Sequence, residues 1–153
     1  MKVIDFFVPG LPATAGSKRA IPIYKGKGVD REFTGHSAVV DSCKKKTTWM
    51  ADVKHFAYQQ YDEAPLLGPL RLDVTFHMPR PLAHYRTGKY AGVLKPSAPK
   101  YHTKIPDRGK LLRAIEDAIT GVIWKDDAQV CDGNVSKLYS NDKPGAYITI
   151  TVI

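Results

Sequence analysis

Residues 105–132 read IPDRGKLLRAIEDAITGVIWKDDAQVCD, a helical period bracketed by acids. Pro106 favours an extended residue ahead of it and suits the first turn of a helix, so the chain arrives extended and begins to wind at Pro106–Asp107. Asp107, at or beside the N-cap, is placed to accept a hydrogen bond from a free backbone N–H at the positive end of the helix dipole. Leu111, Leu112, Ile115, Ala118, Ile119 and Val122 then recur at three and four residues, which marks one buried face, and the helix closes near Thr120–Gly121. Away from that stripe, Gly109, Arg113 and Glu116 share a narrow sector flanked by Lys110 and Asp117. A solvated amphipathic face is one reading of that sector. The Asp126–Asp127 pair favours a chemical one, because adjacent carboxylates repel unless a cation, an Arg or a Lys neutralises them.

On the C-terminal side, Ala128–Tyr139 and Ala146–Ile153 read as two strands joined through Asn141-Asp142-Lys143-Pro144-Gly145, a strong turn signal, so a β-hairpin is expected last. On the N-terminal side lies a stretch of 25 residues with no strand or helix period. It carries Arg80, His84, Tyr85, Arg86, Lys89, Tyr90, Lys95, Lys100, Tyr101, His102 and Lys104. So long a loop in a compact domain is functional or disordered, and bases interleaved with aromatics suit a nucleic-acid surface. Before it, Leu70–Met78 alternates apolar and polar as a half-buried strand does, and Pro79-Arg80-Pro81 stops it.

Asp41 or Ser42 to about Tyr61 has helical spacing, with Trp49, Val53, Phe56, Ala57 and Gln60 on one face. Lys44, Lys45 and Lys46 fall in its first turn, where the helix dipole disfavours cations, and this points to phosphate contact. Val3–Val8 is a first strand, bounded by Pro9-Gly10. Leu11 to Glu32 reads as a basic loop, with Lys18, Arg19, Tyr24 and Phe33 at hand for a nucleic-acid backbone and its bases. The expected fold class is α+β: one domain, 1–153, of order strand, helix, strand, helix, strand, strand, its mixed sheet covered by two main helices.

The chain has 153 residues and a net charge of +8, from 23 Lys plus Arg against 15 Asp plus Glu, which suggests a polyanionic partner. Cys43 and Cys131 form no zinc or disulfide pattern and fit a reducing cytoplasm. The early Asp5 and Pro9-Gly10 argue against a signal peptide, and no apolar run reaches the roughly 18 residues of a membrane span.

Val8-Pro9-Gly10-Leu11-Pro12, Gly16-Ser17-Lys18-Arg19, Pro79-Arg80-Pro81, Lys95-Pro96-Ser97-Ala98-Pro99, Pro106-Asp107, Leu111-Leu112-Arg113-Ala114, Asp117-Ala118-Ile119-Thr120-Gly121 and Trp124-Lys125-Asp126-Asp127-Ala128-Gln129-Val130 occur in that order. Together they resemble the RusA family of Holliday junction resolvases, in a form common in phages and actinobacterial prophages. The resemblance implies a homodimeric, Mg²⁺-dependent endonuclease, with Mn²⁺ as a possible substitute, that cuts branched DNA such as four-way junctions by paired nicks. It implies Asp107, Asp126 and Asp127 as metal ligands, Asp107, Asp127 and Arg113 as catalytic residues, and Lys18, Arg19, Lys44, Lys45, Lys46, Arg80, Arg86 and Lys110 as DNA contacts.

The family motif reads Pro-Asp-x-Asp, and here its second acid is Gly109. Asp126, Asp127 and Asp132 are the candidates to make up for it, since Glu116 lies about 10 Å down the helix axis. The alternative expectation is a junction-binding protein whose catalysis is impaired. A basic RNA-binding domain is a third reading, but the chain shows neither an RNP-type aromatic motif nor a GXXG loop.

Overall fold

The computed structural model describes residues 1–15, 18–26, 32–41 and 45–153, with side chains at all of these positions except 18–24, 33, 35–41 and 45–47. Its strands are β1 (Val3–Pro9), β2 (Lys18–Lys25), β3 (Glu32–Asp41), β4 (Leu70–Met78), β5 (Val130–Asp132), β6 (Val135–Tyr139) and β7 (Gly145–Val152). The helices are α1 (Lys45–Gln60) and α2 (Arg108–Ile119). The fold class is therefore α+β, with a mixed five-stranded sheet and two helices, as expected.

The sheet is built around β4. Its order is β1-β7-β4-β5, with β6 farther along the same edge of β4 as β5. β7 runs antiparallel to both β1 and β4, whereas β5 and β6 run parallel to β4. Alternation on β4 is complete: Leu70, Leu72, Val74, Phe76 and Met78 are buried, and the four residues between them are half-exposed. The buried face joins Ile148 and Ile150 of β7 and Ile4 and Val8 of β1 in one core with Trp49, Val53 and Ala57 of α1 and the apolar stripe of α2. At the end of α2, Gly121 takes φ +84°, a left-handed conformation that stops the helix.

Several expectations about element bounds and pairing need correction. The stretch expected to be a basic loop contains β2, which pairs with β3 as a separate two-stranded sheet. Asp41, one of the two starts expected for the first helix, closes β3 instead, and α1 is described from Lys45; the other start, Ser42, lies outside the described residues. β2 and β3 pair with each other and not with the main sheet, and Pro22 inside β2 reads in the sequence as a strand breaker.

The strand expected over Ala128–Tyr139 is two strands and a short 3₁₀ turn, Asp127–Gln129. Between β5 and β6 stands Gly133, at φ +146°, where a Cβ would collide with the Leu72 carbonyl. The reversal expected at Asn141–Gly145 is present, but the strands it joins do not form a ladder together. They lie on either side of β4, a long-range choice that turn chemistry cannot specify.

The connection from β4 to α2 holds two 3₁₀ turns, Leu82–His84 and Gly88–Tyr90, and is pinned at Arg80. The Arg80 guanidinium donates to Pro99 O (2.7 Å), Asn141 Oδ1 (3.0 Å) and Ser140 O (3.3 Å), and lies 3.2 Å from His84 Nδ1. It also lies 5.0 Å from the centre of the Tyr139 ring. Arg80→Met is expected to lower stability by about 2 kcal/mol, through loss of charge-assisted hydrogen bonds. Hydrogen exchange should speed up at the amides of 84–95 more than in β4, which would identify the loss as release of this connection.

Candidate active site

Asp107 is the N-cap of α2, with extended φ −69° and ψ 142°, and its side chain makes no capping hydrogen bond. The expected cap bond is therefore absent and the carboxylate stays open: it is 64% exposed, with Lys110 Nζ at 3.6 Å. What fixes the helix start is β6. Lys137 Nζ donates to Lys104 O (2.5 Å) and Pro106 O (2.7 Å), and Arg108 Nη1 donates to Val135 O (3.2 Å). These three bonds immobilise the backbone on both sides of Asp107.

The segment after α2 is pinned just as fully. Trp124 is buried, and its Nε1 donates to Thr120 Oγ1 at 2.9 Å. Gln129 uses its whole carboxamide: Nε2 donates to Leu66 O (2.9 Å) and Gly68 O (3.1 Å), while Oε1 accepts from Lys125 N (3.0 Å) and Asp126 N (2.9 Å). Asp126 Oδ1 in turn accepts from Ala128 N at 2.9 Å, which completes a capping box. Asp126 thus shapes the turn, whereas the exposed Asp127 side chain has no hydrogen bond or ion pair to any described residue.

Between α2 and β5 runs a cleft of about 380 Å³, floored by Leu72, Leu112, Val130 and Val135 and edged by Glu116 and Asp132. Asp132 accepts from Arg71 Nη1 at 2.7 Å, and the same guanidinium donates to Asp73 at 2.8 and 3.0 Å. That guanidinium is the main reason why the Asp73 carboxyl titrates below its ordinary value. Glu116 has no such partner. Burial pushes its carboxyl up, and the negative charges of Asp127 and Asp117 push it further. Gly109 shares this side of the helix, and a Cβ there would meet nothing within 4 Å.

Among the described residues, no three His, Cys, Asp or Glu side chains form a group able to hold a metal ion. Asp107 and Asp127 are instead single exposed carboxylates, each outside any such group. Arg113 is 76% exposed and only 4.0 Å from Asp117, so it is free to turn toward a ligand. Arg86 lies against Tyr90, and Lys110 beside Asp107 is 69% exposed. Arg80 has its donors taken by the protein. Lys18 and Arg19 fall in β2 and Lys45 and Lys46 in α1, where their side chains are not described; Lys44 lies outside the described residues.

Lys137 and Gln129 were not singled out as site residues in the sequence. Lys137 did carry a signal, because it alternates with Val135 and Tyr139 at positions facing the core.

Residues 30–151 match the family of the endodeoxyribonuclease RusA. The chain is also 31% identical over 147 residues to the uncharacterized protein YqaN of Bacillus subtilis (strain 168), a match covering 93% of this chain and 92% of that protein. This chain belongs to the RusA endodeoxyribonuclease family. No helix among the described residues is long and apolar enough to cross a membrane.

Two outcomes test this geometry. Lys137→Met is expected to cost about 2 kcal/mol in thermal unfolding and to speed amide exchange at the start of α2, with Lys137→Arg recovering part of the loss. For Glu116, the folded state holds its proton over a range in which the unfolded chain, near the ordinary 4.5, has already lost it. The resulting destabilisation is absent below 4.5 and grows as pH rises through the folded-state value. Glu116→Gln in EDTA should therefore raise the melting temperature at neutral pH and leave it unchanged well below 4.5.

Proposed function

We propose that this chain is a Mg²⁺-dependent endonuclease that resolves four-way junctions and other branched DNA. One observation carries the reading. At both ends of α2 the backbone is fully pinned, yet Asp107 and Asp127, the motif acids that remain, are left without a capping partner. A carboxylate kept exposed within so constrained a frame is prepared for a ligand.

Asp107 and Asp127 would hold the divalent ion, with Asp126 contributing its second oxygen. When bound, Mg²⁺ or Mn²⁺ would polarise the scissile phosphate and acidify the attacking water. Arg113 would turn from its long contact with Asp117 to the phosphate, offsetting the charge gained as a fifth oxygen approaches phosphorus. Lys110 would hold the phosphate next to the cut. Lys18, Arg19, Lys44, Lys45, Lys46 and Arg86 would carry the DNA arms through backbone contacts that read no base sequence. Because a four-way junction is cut on two symmetric strands, the working unit is a two-fold homodimer.

A second reading, junction binding with impaired catalysis, draws on Gly109 and on the lack of a three-acid cluster among the described residues. Cleavage of a labelled junction in Mg²⁺, with Mn²⁺ in parallel, separates the two. Paired nicks that Asp127→Asn abolishes are expected. Gly109→Asp should fold without strain and raise the rate by roughly 10- to 100-fold, at least the range in which outer-shell changes alter metal sites. Tight binding by the parent chain with cutting only by Gly109→Asp would establish the second reading.

A further inference from the structure

Residues 79–105 hold six of the 23 lysines and arginines of the chain and none of its 15 acids. The segment is fixed rather than slack. Arg86 N donates to Val93 O (2.7 Å), Lys95 N to His84 O (2.9 Å), His102 N to Lys137 O (3.0 Å) and Tyr139 N to Lys100 O (2.9 Å), in addition to the Arg80 bonds. This fixed frame displays two tyrosine rings, Tyr90 at 48% exposure and Tyr101 at 60%. Each ring is steadied by a cation: the Arg86 guanidinium lies 4.1 Å from the centre of Tyr90, and Lys100 Nζ lies 5.4 Å from that of Tyr101.

A ring held in water by a rigid, wholly basic loop loses little freedom when something stacks on it. The neighbouring cations would neutralise a phosphate one bond system away from the stacked group. In duplex DNA both faces of every base are covered by neighbours, so such a ring gains contact only where a strand is unpaired or unstacked.

We propose that Tyr90 and Tyr101 are stacking platforms for unpaired nucleotides. The loop of 79–105 then recognises bases left uncovered where a strand is unpaired or unstacked. This inference rests on the nucleic-acid reading above but not on the metal or on cleavage.

The test is binding by the full chain in EDTA, measured as fluorescence anisotropy, of labelled oligothymidylate and of an abasic oligonucleotide of the same length. The two carry the same phosphates and differ only in bases. The parent chain is expected to prefer oligothymidylate by about tenfold or more. Combined Tyr90→Leu and Tyr101→Leu should abolish the preference, while the corresponding Phe changes should keep it. Equal binding of both oligonucleotides by the parent, or a preference that survives the double Leu variant, would overturn the proposal and leave simple polyanion binding.

Photocrosslinking of iodouracil-substituted oligonucleotide to the parent chain, mapped by mass spectrometry, tests the same contact without a variant. Label on Tyr90 or Tyr101 is expected, and label confined to other residues counts against it. A parent chain that shows the preference but cuts no junction loses the nuclease reading and keeps this one; cutting without the preference does the reverse.

Discussion

One face of β4 has to be covered. Leu70, Leu72, Val74, Phe76 and Met78 all point to one side of a strand flanked on both edges, and water cannot be left against them. The apolar stripe of α2, with Leu111, Ala114, Ile115, Ala118 and Ile119 buried, meets that need together with α1. Once α2 is seated, its two ends have nowhere else to go. Asp107 stands at one end beside β6, and the buried Trp124 locks the chain that follows the other.

The family motif after the helix is largely a set of structural parts. Trp124 fills the core and bonds back to the helix end, Gln129 ties the turn to Leu66 and Gly68, and Asp126 caps the turn. The exposed Asp127 side chain has no such task among the described residues. Most of the motif's residues therefore hold a frame, and few of them are free to do chemistry. The same division holds among the bases. Arg80 and Lys137 spend their charge on backbone carbonyls, whereas Arg113 and Lys110 remain in solvent.

Charge also explains the tension within the cleft. Glu116 is half-buried on the side of α2 that carries Gly109, with Asp127 and Asp117 raising the cost of its ionisation. Asp132, across the cleft, is paired with Arg71. Acids gathered here set this side apart in a chain whose net charge is +8.

Much of this was legible in the sequence because it is local. The period of α2, its start at Asp107 and its stop at Gly121 follow from side-chain spacing, one proline and one glycine, and each lies within a turn of its cause. The alternation of β4 and the chain reversal at Asn141–Gly145 are local in the same way. Tertiary structure alone decided that β6 and β7 flank β4 rather than each other, because strand pairing depends on which apolar faces compete for the core. It also decided that Asp126 caps a turn, that Arg80 and Lys137 donate to backbone carbonyls, and that the Asp107 and Asp127 carboxylates accept no capping bond. A charged side chain has the same identity whether it is spent or free, and only its three-dimensional neighbours determine which.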